Sequence, residues 1–126
     1  MAESNTIRVL AVDDSLVALK VLRRALEGTE FEIVAEVRSG AEALAQYQAL
    51  SPDLVLLDLV MPDMDGGEVL RDLREADPQS RIVMVSSLGT KAKVMECLQE
   101  GARSFVMKPF QREEMLQVLR QAVAEE

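Results

Sequence analysis

Four short apolar runs each end in a polar group that can do chemistry. Asp13 and Asp14 follow residues 9–12, Asp58 follows 54–57, Ser86 and Ser87 follow 82–85, and Lys108-Pro109 follows 104–107. If these runs are strands of one parallel sheet, every group lies at its carboxyl edge, where open α/β sheets bind ligands. Three carboxylates gathered there repel one another. Two unit charges ~4 Å apart cost roughly 4 kcal/mol at an effective dielectric near 20. The cluster therefore needs raised pKa values or a counter-ion. Oxygen donors without His or Cys favour a hard cation, Mg²⁺ before zinc. The chain has no histidine, which excludes His-based zinc sites, Ser-His-Asp catalysis and any phosphohistidine role. Lys108 can supply a second positive charge. A carboxylate beside a divalent cation and a lysine can attack an activated phosphoryl group. The cations then neutralise charge on the equatorial oxygens of the transition state. One of the three aspartates is then the candidate nucleophile, and the Ser86 hydroxyl can hydrogen-bond the resulting phosphate.

The elements that must position these groups alternate along the chain. Strands are expected over 9–12, 32–37, 54–57, 82–85 and 104–107, and helices over 15–27, 40–50, 66–77, 90–100 and 112–124. In the first helix Ala18, Val21, Leu22 and Ala25 recur at helical spacing, and Gly28 stops it. In the last, Met115, Leu119 and Ala122 are expected to face inward. Residues 32–37 alternate, with Ile33, Ala35 and Val37 on one face and two glutamates on the other, an edge-strand pattern. The other four strands read as apolar runs buried on both faces. Strict alternation implies right-handed crossovers and the α/β class, as one doubly wound five-stranded parallel sheet with five helices.

Composition narrows the setting. A length of 126 residues suits one domain. With 48% hydrophobic and 29% charged residues the chain reads as globular. A net charge of -8 argues against a nucleic-acid surface, which needs clustered Lys and Arg. The lone cysteine, Cys97, excludes an internal disulfide, fits a reducing compartment and is expected to be buried on the fourth helix. No apolar run approaches the ~20 residues of a membrane helix, and the polar residues 1–6 lack the apolar core of a signal peptide. A cytoplasmic protein without a membrane partner is expected.

Four segments carry a family resemblance: VLAVDDS (9–15), PDLVLLDLVMPDMDG (52–66), IVMVSSL (82–88) and GARSFVMKPF (101–110). Together they resemble the receiver domains of bacterial two-component response regulators. They are similar to single-domain chemotaxis regulators and to the receiver half of chemotaxis methylesterases. The resemblance covers almost the whole chain, so residues 6–126 are expected to form one receiver domain with no output domain. It implies a flavodoxin-like strand order 2-1-3-4-5. It implies that Asp58 takes a phosphoryl group from a sensor histidine kinase or phosphotransfer protein. Asp14, Asp58 and the backbone carbonyl of Val60 would bind Mg²⁺ directly, and Asp13 through water. Lys108 would bind the phosphate, Ser86 would be the switch hydroxyl and Phe105 the switch aromatic. Lys108-Pro109 would be a cis peptide, a geometry largely confined to proline. The fourth helix, fifth strand and fifth helix would meet a downstream protein. Such a domain is a switch that catalyses only its own phosphorylation and dephosphorylation. The chain departs from the commonest pattern at Ser86, where threonine is frequent, at Ser87, where alanine is frequent, and at Phe105, which has no phenol hydroxyl.

Other readings compete. Asp13 or Asp14 can simply cap the first helix. An Asp-nucleophile phosphatase of haloacid-dehalogenase type needs a second aspartate two positions after the first, where this chain has Val60. A flavin-binding fold would set three carboxylates against the flavin phosphate. A calcium loop would have Met61 at its first ligand position and Asp72 in place of Glu at its twelfth, and is rejected.

Overall fold

The computed structural model describes residues 6–63 and 65–124. Strand and helix alternate along it: β1 (Ile7–Val12), α1 (Leu16–Leu26), β2 (Phe31–Val37), α2 (Gly40–Leu50), β3 (Leu54–Leu57), α3 (Gly66–Ala76), β4 (Ile82–Ser86), α4 (Lys91–Gln99), β5 (Ser104–Met107) and α5 (Arg112–Ala124). The strands pair in parallel in the order β2-β1-β3-β4-β5. The expected five-and-five architecture is present, with α2, β3, β5 and α5 at their expected bounds. Elsewhere the ends move by a residue or two, the usual uncertainty of helix and strand termini.

Side chains alternate across a strand, so the sheet sorts its own core into two layers. Val9, Ala11, Leu54, Leu56, Val83 and Val85 pack with Leu19 and Leu22 of α1 and Met115 and Leu119 of α5. Leu10, Val12, Val55, Leu57, Ile82 and Met84 pack with Tyr47 of α2, Leu70 and Leu73 of α3 and Cys97 of α4. Each fully buried leucine contributes roughly 1.5–3 kcal/mol. Enough apolar surface is therefore buried on both faces to hold the loops above rigid central strands.

Three expectations need correction. Val21 is not in the core; it is 47% exposed, and α1 buries Leu19, Leu22, Ala25 and Leu26 instead. Both stripes have helical spacing, and contact with β1 and α5 selects the leucine-rich one. β5 is an edge strand, not one buried on both faces: Ser104 and Phe105 are half-buried and Met107 is exposed. In β2, Ile33 and Ala35 do not share a face. Ile33 packs with the α1 and α5 layer and Ala35 with the other. The register against β1 jumps from Val9↔Ile33 to Leu10↔Ala35, leaving Val34 as an extra residue. Such a bulge twists the strand and re-aims the side chains beyond it.

Four helices begin at the carboxyl edge of the sheet with a side-chain cap. Ser15, Ser39, Asp65 and Thr90 accept hydrogen bonds from Ala18, Glu42, Gly67 and Lys93 backbone N–H groups. Each cap satisfies an orphan donor of the first turn and fixes where the preceding loop ends. Ser15, not Asp13 or Asp14, is the cap of α1.

Candidate functional site

The sheet's own hydrogen-bond ladder runs one residue past three strand ends and carries the site residues with it. Asp13 N–H donates to Val37 O at 3.0 Å, Asp58 N–H to Val12 O at 3.0 Å, and Lys108 N–H to Ser86 O at 3.0 Å. The three side chains are thus set by backbone bonds of the most buried part of the protein. One carboxylate oxygen from each of Asp13, Asp14 and Asp58 lies within 4.8 Å of the other two. Asp13 and Asp58 are buried and Asp14 is half-buried. Lys108 reaches the cluster from β5: its Nζ is 2.7 Å from Asp13 Oδ2 and 3.8 Å from Asp58 Oδ2. Asp13 Oδ1 also accepts from Ser15 N–H at 3.0 Å. Lys108-Pro109 is a cis peptide, as expected.

Asp58 is electrostatically under-compensated. Burial pushes its carboxyl above the ordinary carboxylate range, with Lys108 opposing the rise and the Asp13 carboxylate adding to it. Hydrogen bonds from the Ser86 side chain and the Val60 backbone favour the ionised form but do not restore it. One lysine facing three carboxylates leaves net negative charge in a partly desolvated pocket, which a hard cation would neutralise. The donor set is oxygen only, so the residues fit Mg²⁺ in type and number.

The remaining predicted residues divide. Ser86 is fully buried beside Asp58, and its Oγ also accepts from Leu88 N–H at 3.2 Å. Ser87 points out to solvent. Phe105 is half-buried against the layer that contains Leu57, Met84 and Cys97, and Cys97 is buried as expected. Val60 and Leu88 are both about half exposed, at 52% and 50%. They line one cleft with Met61, Pro62 and Lys93.

Sequence reasoning missed two features. Gly66, the first residue of α3, lies against the main chain of the Asp58 loop. A Cβ there would overlap the Asp58 carbonyl oxygen and stand 2.6 Å from Leu59 Cα. The Asp-Gly pair at 65–66 was the available signal. Arg38, just after β2, donates from Nε and from its terminal nitrogen to the Asp14 carbonyl oxygen, both at 3.1 Å. β2 ends at the same edge as β1 and β3, so a polar residue following it could have been included.

A doubly wound α/β protein with an acidic, lysine-closed site at the carboxyl ends of β1, β3 and β5 has the geometry of a phosphoryl-accepting switch. The chain belongs to the response regulator receiver domain family, whose model matches residues 9–120. It is 39% identical over 112 residues to the chemotaxis protein CheY of Bacillus subtilis, covering 89% of this chain and 93% of that one. It is 46% identical over 111 residues to a protein-glutamate methylesterase/protein-glutamine glutaminase of Myxococcus xanthus, covering 86% of this chain but 32% of that protein. Among solved structures it is similar to the CheY of a CheX-CheY-BeF3-Mg²⁺ complex from Borrelia burgdorferi. That match has a TM-score of 0.90 and 35% identity, and covers 94% of this chain and 90% of that one. The response regulator domain of Thermotoga maritima CheB matches with a TM-score of 0.87 and 32% identity, over 96% of this chain and 98% of that one. The protein is therefore a receiver domain of the two-component type, similar to the chemotaxis regulators. The haloacid-dehalogenase alternative finds no support. Members of this family are usually non-catalytic, although the methylesterase shows that a related chain can be part of an enzyme. Among the described residues no helix is long and apolar enough to cross a membrane.

Proposed function

We propose that Asp58 is the phosphoacceptor of a cytoplasmic switch formed by residues 6–126, charged by a histidine kinase or phosphotransfer protein and read by a downstream protein. The observation that carries this reading is a buried, under-compensated Asp58 carboxylate within reach of Lys108 and two further aspartates. A carboxylate oxygen of Asp58 attacks phosphorus, and the bond from phosphorus to the donor nitrogen breaks. Asp13, Asp14, Asp58 and the Val60 carbonyl are the groups to hold Mg²⁺, which when bound neutralises phosphoryl oxygens. Lys108 contacts a phosphate oxygen from its present position between Asp13 and Asp58. The Ser86 hydroxyl donates to another, and movement of the loop it heads alters the packing around Phe105. A phosphate shifts a pre-existing equilibrium by binding one state better. The face of α4, β5 and α5, which includes the exposed Met107, is the surface that reports it. The domain acts on no substrate beyond its own phosphoryl group.

Mg²⁺ binds the folded cluster and so raises the melting temperature by mass action. The expected result is a clear rise for wild type, and no rise for a folded Asp14→Ala protein. A full rise in that variant removes Asp14 from the ligand set. A pull-down with and without beryllofluoride, an acyl-phosphate mimic, identifies partners that read the phosphorylated state.

The site also sets the lifetime of the acyl phosphate. Hydrolysis needs a water in line with the bond to phosphorus, and Val60 and Leu88 flank that approach. Neither side chain can orient a water, and both are bulky. A positioned hydrogen-bonding group would speed the step. Slow self-dephosphorylation is expected, and the Val60→Asn, Leu88→Glu double variant should decay about tenfold faster or more. Equal decay of the two proteins, timed after removal of the donor, would remove the shielding argument.

A further inference from the structure

The turn between β2 and α2 ties together two loops that carry cluster residues. On one side the Arg38 guanidinium closes a two-pronged hydrogen bond on the Asp14 carbonyl oxygen, at 3.1 Å from each nitrogen. On the other side Gly40 N–H, in the first turn of α2, donates to the Asp63 carboxylate at 3.2 and 3.4 Å. Asp63 lies three positions after Val60 on the loop that begins at Asp58. Between these two contacts the turn is itself fixed. Ser39 Oγ accepts from Glu42 N–H at 3.3 Å, and Glu42 Oε1 accepts from Ser39 Oγ at 3.4 Å and from Arg38 N–H at 3.5 Å. This resembles a capping box, except that the Glu42 carboxylate reaches the N–H of Arg38 and the Ser39 hydroxyl instead of the N–H of the cap residue itself, and it holds the start of α2. The bulge in β2 lies upstream of this turn and sets the direction in which β2 leaves the sheet.

We propose that Arg38 and Asp63 are positioning residues for the cation site, and that the turn 38–40 braces the Asp13-Asp14 loop against the Asp58 loop. This rests on the reading that the three aspartates hold Mg²⁺. Asp13 is gripped directly, by Lys108 and by Ser15 N–H. Asp14 is gripped through its main chain by Arg38, and holding the carbonyl fixes the peptide plane from which the carboxylate projects. Mg²⁺ demands near-octahedral geometry at short distances, so a ligand that must first be ordered costs affinity. Arg38 is exposed, and its charge is screened by solvent. Its contribution is therefore geometric, made by a planar fork that a lysine only partly imitates.

The test compares Arg38→Met, Arg38→Lys, Asp63→Ala and the Arg38→Met, Asp63→Ala pair in the full chain. Two measurements are made: the Mg²⁺ dissociation constant by calorimetry, and amide exchange at Asp13 and Ser15 in metal-free protein. Removing groups that orient metal ligands typically costs ~10–100-fold in affinity. For an exposed arginine acting on a carbonyl we expect about three- to tenfold for Arg38→Met, partial recovery in Arg38→Lys, and an effect of the pair smaller than the product of the singles. Exchange at Asp13 and Ser15 should quicken in Arg38→Met while the melting temperature of the metal-free protein stays near wild type. Slower phosphorylation at low Mg²⁺ should be recovered by raising Mg²⁺. Unchanged exchange at both amides in Arg38→Met overturns the brace. So does a uniform rise in exchange with a fall in melting temperature, which would make Arg38 a general stabiliser. Failure of wild type to bind Mg²⁺ sinks the reading of the aspartates instead, and the metal-free exchange then decides the brace alone.

Discussion

Asp58→Asn protein incubated with acetyl phosphate and Mg²⁺ should gain no base-labile phosphate, where wild type gains one. An amide oxygen is a poor nucleophile, and the neighbouring Asp13 is already engaged by Lys108 at 2.7 Å and by Ser15 N–H. The same substitution should also stabilise the metal-free protein at neutral pH. Burial raises the Asp58 carboxyl above its ordinary value. A group whose folded pKa is raised contributes stability that is fully present below its unfolded pKa and is lost as pH rises through the folded value. At pH 7 wild type therefore holds a charge the fold disfavours, and asparagine holds none. A higher melting temperature than wild type is therefore expected in chelator at pH 7. The gap should close below about pH 4, where unfolded aspartate is also protonated. Base-labile phosphate on the asparagine protein would place the nucleophile elsewhere.

Gly66→Ala should be severe although alanine is the better helix former by about 1 kcal/mol. Gly66 has no unusual backbone angle to defend; what it lacks is room. Its N–H donates to Leu59 O at 2.8 Å, which draws the first turn of α3 onto the main chain that follows Asp58. A methyl group would overlap the Asp58 carbonyl and stand 2.6 Å from Leu59 Cα. Both are backbone atoms, so no side chain can swing aside. Overpacking of this kind typically costs about 1–3 kcal/mol and occasionally more. We expect about 3 kcal/mol, a fall of roughly 10–15 °C in melting temperature, and slower phosphorylation because the displaced segment carries Asp58. Gly67→Ala is the control. Its Cβ would meet nothing nearer than 3.5 Å, the Asp65 carboxylate, and the variant should be neutral or slightly stabilised. Equal melting of the two variants would show that the loop yields.

The sequence by itself determined the alternation of elements, the sheet's class, and which residues stand at its carboxyl edge. These follow from local rules. Apolar runs such as 54–57 and 82–85 mark strands, side chains alternate, and a residue just past a parallel strand must sit at that strand's end. Asp13, Asp58, Ser86 and Lys108 were legible for that reason, and the resemblance added their roles. The tertiary structure decided what depends on neighbours far away in the chain. Val21 and Leu19 fit the helical period equally well, and only the contact of α1 with β1 and α5 selects the stripe that is buried. Met107 continues an apolar run, and only the strand order makes β5 an edge and leaves it exposed. The bulge at Val34 reverses the face of Ala35 because β2 must match its register to β1. Arg38 on the Asp14 carbonyl and Gly66 on the Asp58 main chain are contacts between separate loops, 24 and 8 positions apart. Neither has a periodic signature, since each exists only once the sheet has brought its loops together.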